Sequence, residues 1–238
     1  MKGARALSPL EIQAVCTAFS GQFAIRNQTL FLLCANVGAR ITEALNLNVG
    51  DVWQNDKVVS VLYLRRQTVK GKNEGAALTL PSGARNALMS LIAWKKERKE
   101  SLRKTAPLFV SQRRGKRLSR KMAHEVFKGA YRKIGLEGQV TTHSPRKTFA
   151  KMVYRNSNND LLVTQRALRH TNIQNTLCYL DTLADDVTQA MPNFGLSGTL
   201  DERDKTSNVK IINFQQAAKR QGRREAGKRS EDGRKQIS

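Results

Sequence analysis

The sequence predicts an α+β fold, mostly α-helical with a small antiparallel three-stranded sheet, and three observations carry that expectation. Apolar residues recur at helical spacing before residue 50 and again after residue 82. Between those regions Val59, Val61 and Tyr63 alternate with Ser60, Leu62 and Leu64, the period of a strand. Beyond Leu200 large apolar side chains nearly vanish, apart from Ile211, Ile212 and Phe214. A stretch of that composition buries too little surface to offset its chain entropy. One domain over 1–198 and a basic, flexible tail over 199–238 are therefore expected, and 238 residues suffice for a sizeable core.

Ser8-Pro9-Leu10-Glu11 opens the first helix: Ser caps, Pro takes the first helical position and Glu can close a capping box. That helix should run to about Phe19. A second, roughly Arg26–Val37, carries Leu30, Phe31, Leu33 and Cys34 and ends near Gly38. Thr42–Leu47 makes a short third helix, so Arg40 lies at a corner and should point outward from a rigid base. Gln67–Lys70 and Ala77–Leu80 supply the other two strands, and Gly71-Lys72-Asn73-Glu74-Gly75 between them reads as a hairpin tip. Pro81-Ser82 starts a helix to about Lys99. Further helices follow at about Lys121–Lys133, Pro145–Arg155, Asp160–Leu168, Ile173–Leu180 and Ala184–Ala190. Tyr63, Tyr131 and Tyr154 are expected as half-buried core residues, and Cys178 as a small buried one.

Lys and Arg number 42 against 19 Asp and Glu, a formal charge of +23. The tail from Asp201 holds eleven basic and six acidic residues, which leaves 18 of those charges to the domain. A surplus of that size is the electrostatic footprint of a nucleic-acid binder. Gln112–Lys121 concentrates it in Arg113, Arg114, Lys116, Arg117, Arg120 and Lys121, either a solvated connector or a phosphate-tracking arm; the overall charge favours the arm. Three cysteines without close pairing argue for a reducing compartment. No signal peptide, membrane span, nucleotide-binding glycine loop or metal-ligand spacing is apparent, so a cytoplasmic, nucleoid-associated protein without cofactor is expected.

Two of the three histidines fall in His143-Ser144-Pro145-Arg146 and in Leu168-Arg169-His170, nine residues before Tyr179. Ser144-Pro145 repeats the cap-then-proline pattern, placing Arg146 in a first helical turn, where free N–H groups and a guanidinium make a strong anion site. For the tetrapeptide alone, a surface histidine beside an ordinary arginine is the preferred reading. Tyr179, taken singly, is more often a half-buried core residue. On one unbroken helix His170 and Tyr179 would face opposite ways; a break at Thr171-Asn172 lets two helices deliver them to one site. A phenol, two imidazoles and fixed cations suffice to attack a phosphodiester. A tyrosine with its ordinary pKa near 10 needs such neighbours to act at neutral pH.

Gly38-Ala39-Arg40-Ile41-Thr42-Glu43-Ala44-Leu45-Asn46-Leu47, Asp51, the hairpin lysine, His143-x-x-Arg146 and Leu168-x-His170 before Tyr179 together resemble the tyrosine recombinase (phage integrase) family, in order and spacing over about residues 7–195. The resemblance implies a site-specific recombinase that cleaves and rejoins DNA through a 3′-phosphotyrosyl link, without metal or ATP. It makes Tyr179 the nucleophile, Arg40 and Arg146 the grips on the non-bridging oxygens, and His143 the proton carrier. His170 would donate to the phosphate, Lys72 would protonate the leaving 5′-oxygen, and Glu43 would orient the basic groups from behind. Partners implied are double-stranded DNA with core sites, a homotetramer on two sites docked through the helix near 184–190, and accessory DNA-bending proteins. A non-catalytic DNA-binding protein on the same scaffold, or a type IB topoisomerase, are the alternatives. The match starts at the catalytic domain's first helix, as in the short recombinases of fimbrial phase switching. It departs from the family at Arg169, where glycine is usual, at Pro145, where leucine is common, and in lacking a histidine soon after Tyr179. Arg169 should either add a phosphate contact or crowd its turn.

Overall fold

The structure, a computed structural model, describes residues 4–65, 75–113 and 115–180. The first helix, α1 (Pro9–Ala18), begins as the sequence requires: Ser8 Oγ accepts from the Glu11 N–H, and the Glu11 carboxylate accepts from the Ser8 N–H at 2.7 Å. At the centre lies α2 (Ala24–Val37), with Leu30, Phe31, Leu33 and Cys34 fully shielded. It ends at Gly38, whose left-handed φ of 59° stops the helix. Two short helices follow, α3 (Ile41–Leu45) and α4 (Val49–Val52), then the long α5 (Ser82–Glu97), which packs broadly on α2. Phe31 meets Phe127 of α6 (Arg120–Lys133) edge-on, with ring centroids 5.5 Å apart.

Between α4 and α5 the described residues form two antiparallel strand pairs. The first, β1 (Trp53–Gln54) with β2 (Lys57–Val58), was not expected from the sequence. Its two-residue turn, Asn55-Asp56, has φ of 49° and 56°, conformations those side chains tolerate best after glycine. The second pairs β3 (Val61–Leu64) with β4 (Ala76–Thr79) in antiparallel register, Leu62 opposite Leu78. Leu62 and Leu64 face the helices, so the alternate residue Tyr63 stands 70% exposed and is no core tyrosine. The expected third strand, 67–70, lies outside the described residues, as do the helix at 184–190 and the tail.

The C-terminal part holds α7 (Ser144–Asn156), α8 (Leu161–Leu168) and α9 (Ile173–Leu180). Asp160 caps α8 by accepting from the N–H groups of Leu162 and Val163. The N-cap of α7 is His143, not Ser144; the Ser144 hydroxyl instead accepts from the Thr141 N–H, turned into the loop. α7 packs on α2 and also contributes to a small apolar cluster of Ala150, Leu168 and Leu180 with partly buried Phe149, Tyr154, Leu161 and Tyr179. Cys178 faces outward, one residue before the buried-side Tyr179, so it fills no core position.

Candidate active site

Arg146, in the first turn of α7, is 1% exposed. Its Nη1 donates to the Gly38 carbonyl and its Nη2 to the Leu168 carbonyl, so one guanidinium spans the end of α2 and the end of α8. A side chain at Gly38 would run into the ring of Phe149, on the same helix as Arg146. Arg146 Nη2 also lies 3.3 Å from His170 Nε2. A guanidinium has no acceptor, so Nε2 accepts and the neutral ring carries its proton on Nδ1, which donates to Thr176 Oγ1 at 3.1 Å. Burial, with Arg40 nearby, lowers the Arg146 pKa to about 10.

Arg40 does not project freely. As the residue before α3 it donates from its backbone N–H to Glu43 Oε2 at 2.8 Å and from Nη1 to Oε1 at 2.7 Å. Glu43 is 1% exposed and also receives Nη2 of Arg169 at 2.6 Å. Burial alone would raise its carboxyl, but Arg169 and the two Arg40 donors outweigh that and hold it below the usual carboxylate range. Arg169 thus turns inward to an acid, neither toward solvent nor into its own turn.

Tyr179 of α9 completes the cluster. Its Oη lies 3.2 Å from His143 Nδ1, and its ring meets His170 edge-on at 5.1 Å. Arg146 and Lys147 stand over the same ring at 5.9 and 5.8 Å. His143 is exposed as a residue, yet desolvation of its ring and the charges of Arg146, Arg120, Arg40 and Lys147 lower its pKa. The same causes, burial first and then Arg146, Arg40 and Arg169, push His170 down to about 4. Both imidazoles are therefore neutral near pH 7, and a neutral His143 is able to accept the phenol proton.

The chain matches the phage integrase family over residues 5–185. It belongs to that family. It is 30% identical over 178 residues to the tyrosine recombinase XerC of Caldanaerobacter subterraneus subsp. tengcongensis, covering 74% of this chain and 46% of that protein. It is also 30% identical over 170 residues to the probable integrase/recombinase YoeC of Bacillus subtilis, covering 71% of this chain and 85% of the relative. The chain spans about half the length of the XerC and XerD relatives it matches. In fold it is similar to XerA recombinase, with a TM-score of 0.62 at 24% identity over 81% of this chain and 67% of that one. XerH bound to a palindromic difH substrate is similar at a TM-score of 0.61 and 22% identity, over 79% and 52% of the two chains.

Five of the six catalytic positions read from this integrase-family sequence fall in the described residues. Arg146, His143, His170 and Tyr179 meet directly; Arg40 joins them electrostatically, lowering the pKa of Arg146 and both histidines. Lys72 lies outside the described residues, as does Arg114. In the basic loop Arg113, Lys116, Arg120 and Lys121 are exposed. Arg117 is not available in the same way: Nη1 donates to the carbonyls of Leu45 and Leu47 and Nη2 to Asn48 Oδ1, binding the loop to the α3 end. Lys147 and Thr176 were not singled out from the sequence. Thr176 had a readable signal, lying three residues before Tyr179 and so on its helical face; Lys147, adjacent to Arg146, had none.

Proposed function

We propose that the chain is a site-specific DNA recombinase with Tyr179 as its nucleophile. The 3.2 Å approach of the Tyr179 hydroxyl to a neutral His143, beside the Arg146 guanidinium, supports this most directly. In the reaction His143 takes the phenol proton, Tyr179 Oη bonds to the scissile phosphorus and the bond to the 5′-oxygen breaks. Lys72 returns a proton to that oxygen. Arg40 and Arg146 hold the non-bridging oxygens as charge develops, the largest contribution such a site makes. His170, its Nε2 beside the Arg146 guanidinium, donates to the phosphate once a proton moves to that nitrogen. The tyrosyl ester keeps the energy of the broken linkage, so a second 5′-hydroxyl rejoins the strand without ATP or metal. Arg113, Arg114, Lys116, Arg120 and Lys121 track DNA phosphates, and Arg117 braces the loop that carries them. Two DNA sites are held by a homotetramer, with accessory bending proteins, in the cytoplasm with the nucleoid. Integration, excision and the inversion typical of fimbrial phase switching share this chemistry.

Trapping covalent protein–DNA adducts in expressing cells and sequencing the attached ends tests the reading. Wild type should yield one core sequence and Tyr179→Phe none. Adducts that survive Tyr179→Phe would remove Tyr179 from its role. Ends without a common sequence would indicate a topoisomerase, and no adducts at all a non-catalytic DNA binder.

A further inference from the structure

We infer that Arg169 is a positioning residue: through Glu43 it fixes the Arg40 guanidinium, and from within the α8–α9 turn it fixes the setting of His170. The inference rests on the recombinase reading above and goes beyond it to a side chain the resemblance does not supply.

Arg169 has φ 56° and ψ 41°, a left-handed conformation that costs any residue with a Cβ. Glycine is the inexpensive occupant there. Among the described residues five others without glycine's freedom adopt positive φ, namely Asn55, Asp56, Lys99, Asn158 and Asn159, and all five are exposed. Arg169 alone combines that backbone with a buried side chain, 6% exposed. Its Nε and Nη1 have no hydrogen-bond partner among the described residues. A buried, incompletely paired cation on a strained backbone is a poor way to gain stability. Its one strong bond, 2.6 Å to Glu43, reaches back 126 positions to the corner that carries Arg40.

That bond runs beside the Arg146 clamp. Arg146 joins the carbonyls of Gly38 and Leu168, and Arg169 joins its own turn to Glu43, so two guanidiniums tie residues 38–43 to residues 168–170. The ties differ in what they hold. The Arg146 clamp fixes backbone, whereas the Arg169 tie fixes the acid whose other oxygen holds the Arg40 guanidinium. Lateral freedom of Glu43 would pass directly to Arg40, and misplacement by about 1 Å is enough to cost on the order of 100-fold in rate.

The experiment compares the full chain with Arg169→Gly, Arg169→Lys and Glu43→Gln. Glycine suits the left-handed turn, so the first variant should fold. In cells, adducts on chromosomal DNA are counted per molecule of protein bound, the latter from formaldehyde crosslinking. Arg169→Gly should lower adducts per bound molecule by about 10- to 100-fold while occupancy stays within about twofold. Arg169→Lys, which keeps the charge and one donor, should recover part of the loss. Adding Arg169→Gly to Glu43→Gln should lower adducts little further, because Arg169 acts through the acid that is already altered. On the purified full chain, the NMR titration of His170 should move upward in Arg169→Gly as a neighbouring cation is removed. Wild-type adduct yield and an unmoved His170 in Arg169→Gly would overturn the inference, as would simple additivity with Glu43→Gln. Absence of adducts from wild type would defeat the recombinase reading instead, and the His170 titration would still test the tie.

Discussion

Arg40 and Glu43 stand where α2 meets α3, on Leu33, Cys34, Ala44 and Leu45, none more than 4% exposed and all part of the large core. Tyr179 stands on α9, whose cluster has only Ala150, Leu168 and Leu180 fully buried among the described residues. The two halves of one site therefore rest on unequal foundations. Groups that stabilise developing charge act best when they are fixed before the reaction and need no reorganisation. A nucleophile that must swing from its base to phosphorus and later release it gains from an element that opens at low cost. Arg146 sits at the junction, on a helix packed against α2, with bonds to both sides.

Removing that junction should give the largest effect. Arg146→Ala leaves the Gly38 and Leu168 carbonyls without their donor, at a cost of about 2–4 kcal/mol in urea unfolding. Adduct formation should fall by about 100- to 1000-fold, the usual loss for one transition-state donor. Unchanged stability would mean that the two regions are coupled elsewhere.

A paired substitution measures the inequality itself. Leu88→Ala in α5 and Leu168→Ala in α8 both truncate side chains that are 0% exposed. In the large core the loss should fall within about 2–5 kcal/mol and raise hydrogen exchange throughout. In the small cluster it should lie near the bottom of that range and accelerate exchange mainly in α8 and α9. Equal, global effects would make the cluster part of one cooperative core.

Acid gives the smallest effect and separates the regions by charge. His170, lowered to about 4, contributes stability that is present above its unfolded value near 6.5 and lost as pH falls toward 4. Amide exchange in α8 and α9 should therefore quicken over that interval before α2 responds. In the proposed reaction the cleavage rate should fall on the acid side with a midpoint below 6.5, because His143 would have to be neutral to take the phenol proton and its pKa is depressed. An acid limb left unchanged by His143→Gln would exclude His143 as the acceptor.

Much of this was legible in the chain because local chemistry sets it. Ser8-Pro9 and Asp160 mark helix starts that depend on three or four neighbouring residues, and the break at Thr171-Asn172 separates His170 from Tyr179 as the spacing demanded. What could not be read depends on partners distant in sequence. Tyr63 alternates like a core residue, but only one face of its hairpin is covered. Arg117 looks like its basic neighbours, and only the approach of α3 turns it inward. The fate of Arg169 was decided by Glu43, an acid 126 positions away. The Trp53–Val58 hairpin did carry a local sign, Asn55-Asp56, but two-residue strands are too short to show an alternation.

Gly38 has a consequence for anyone comparing functional variants of this chain. Its left-handed backbone disfavours a side chain, the Phe149 ring leaves no space for one, and its carbonyl seats Arg146. Selection should hold residue 38 as strictly as residue 146, and a pattern of invariance alone would credit chemistry to a position whose whole contribution is room.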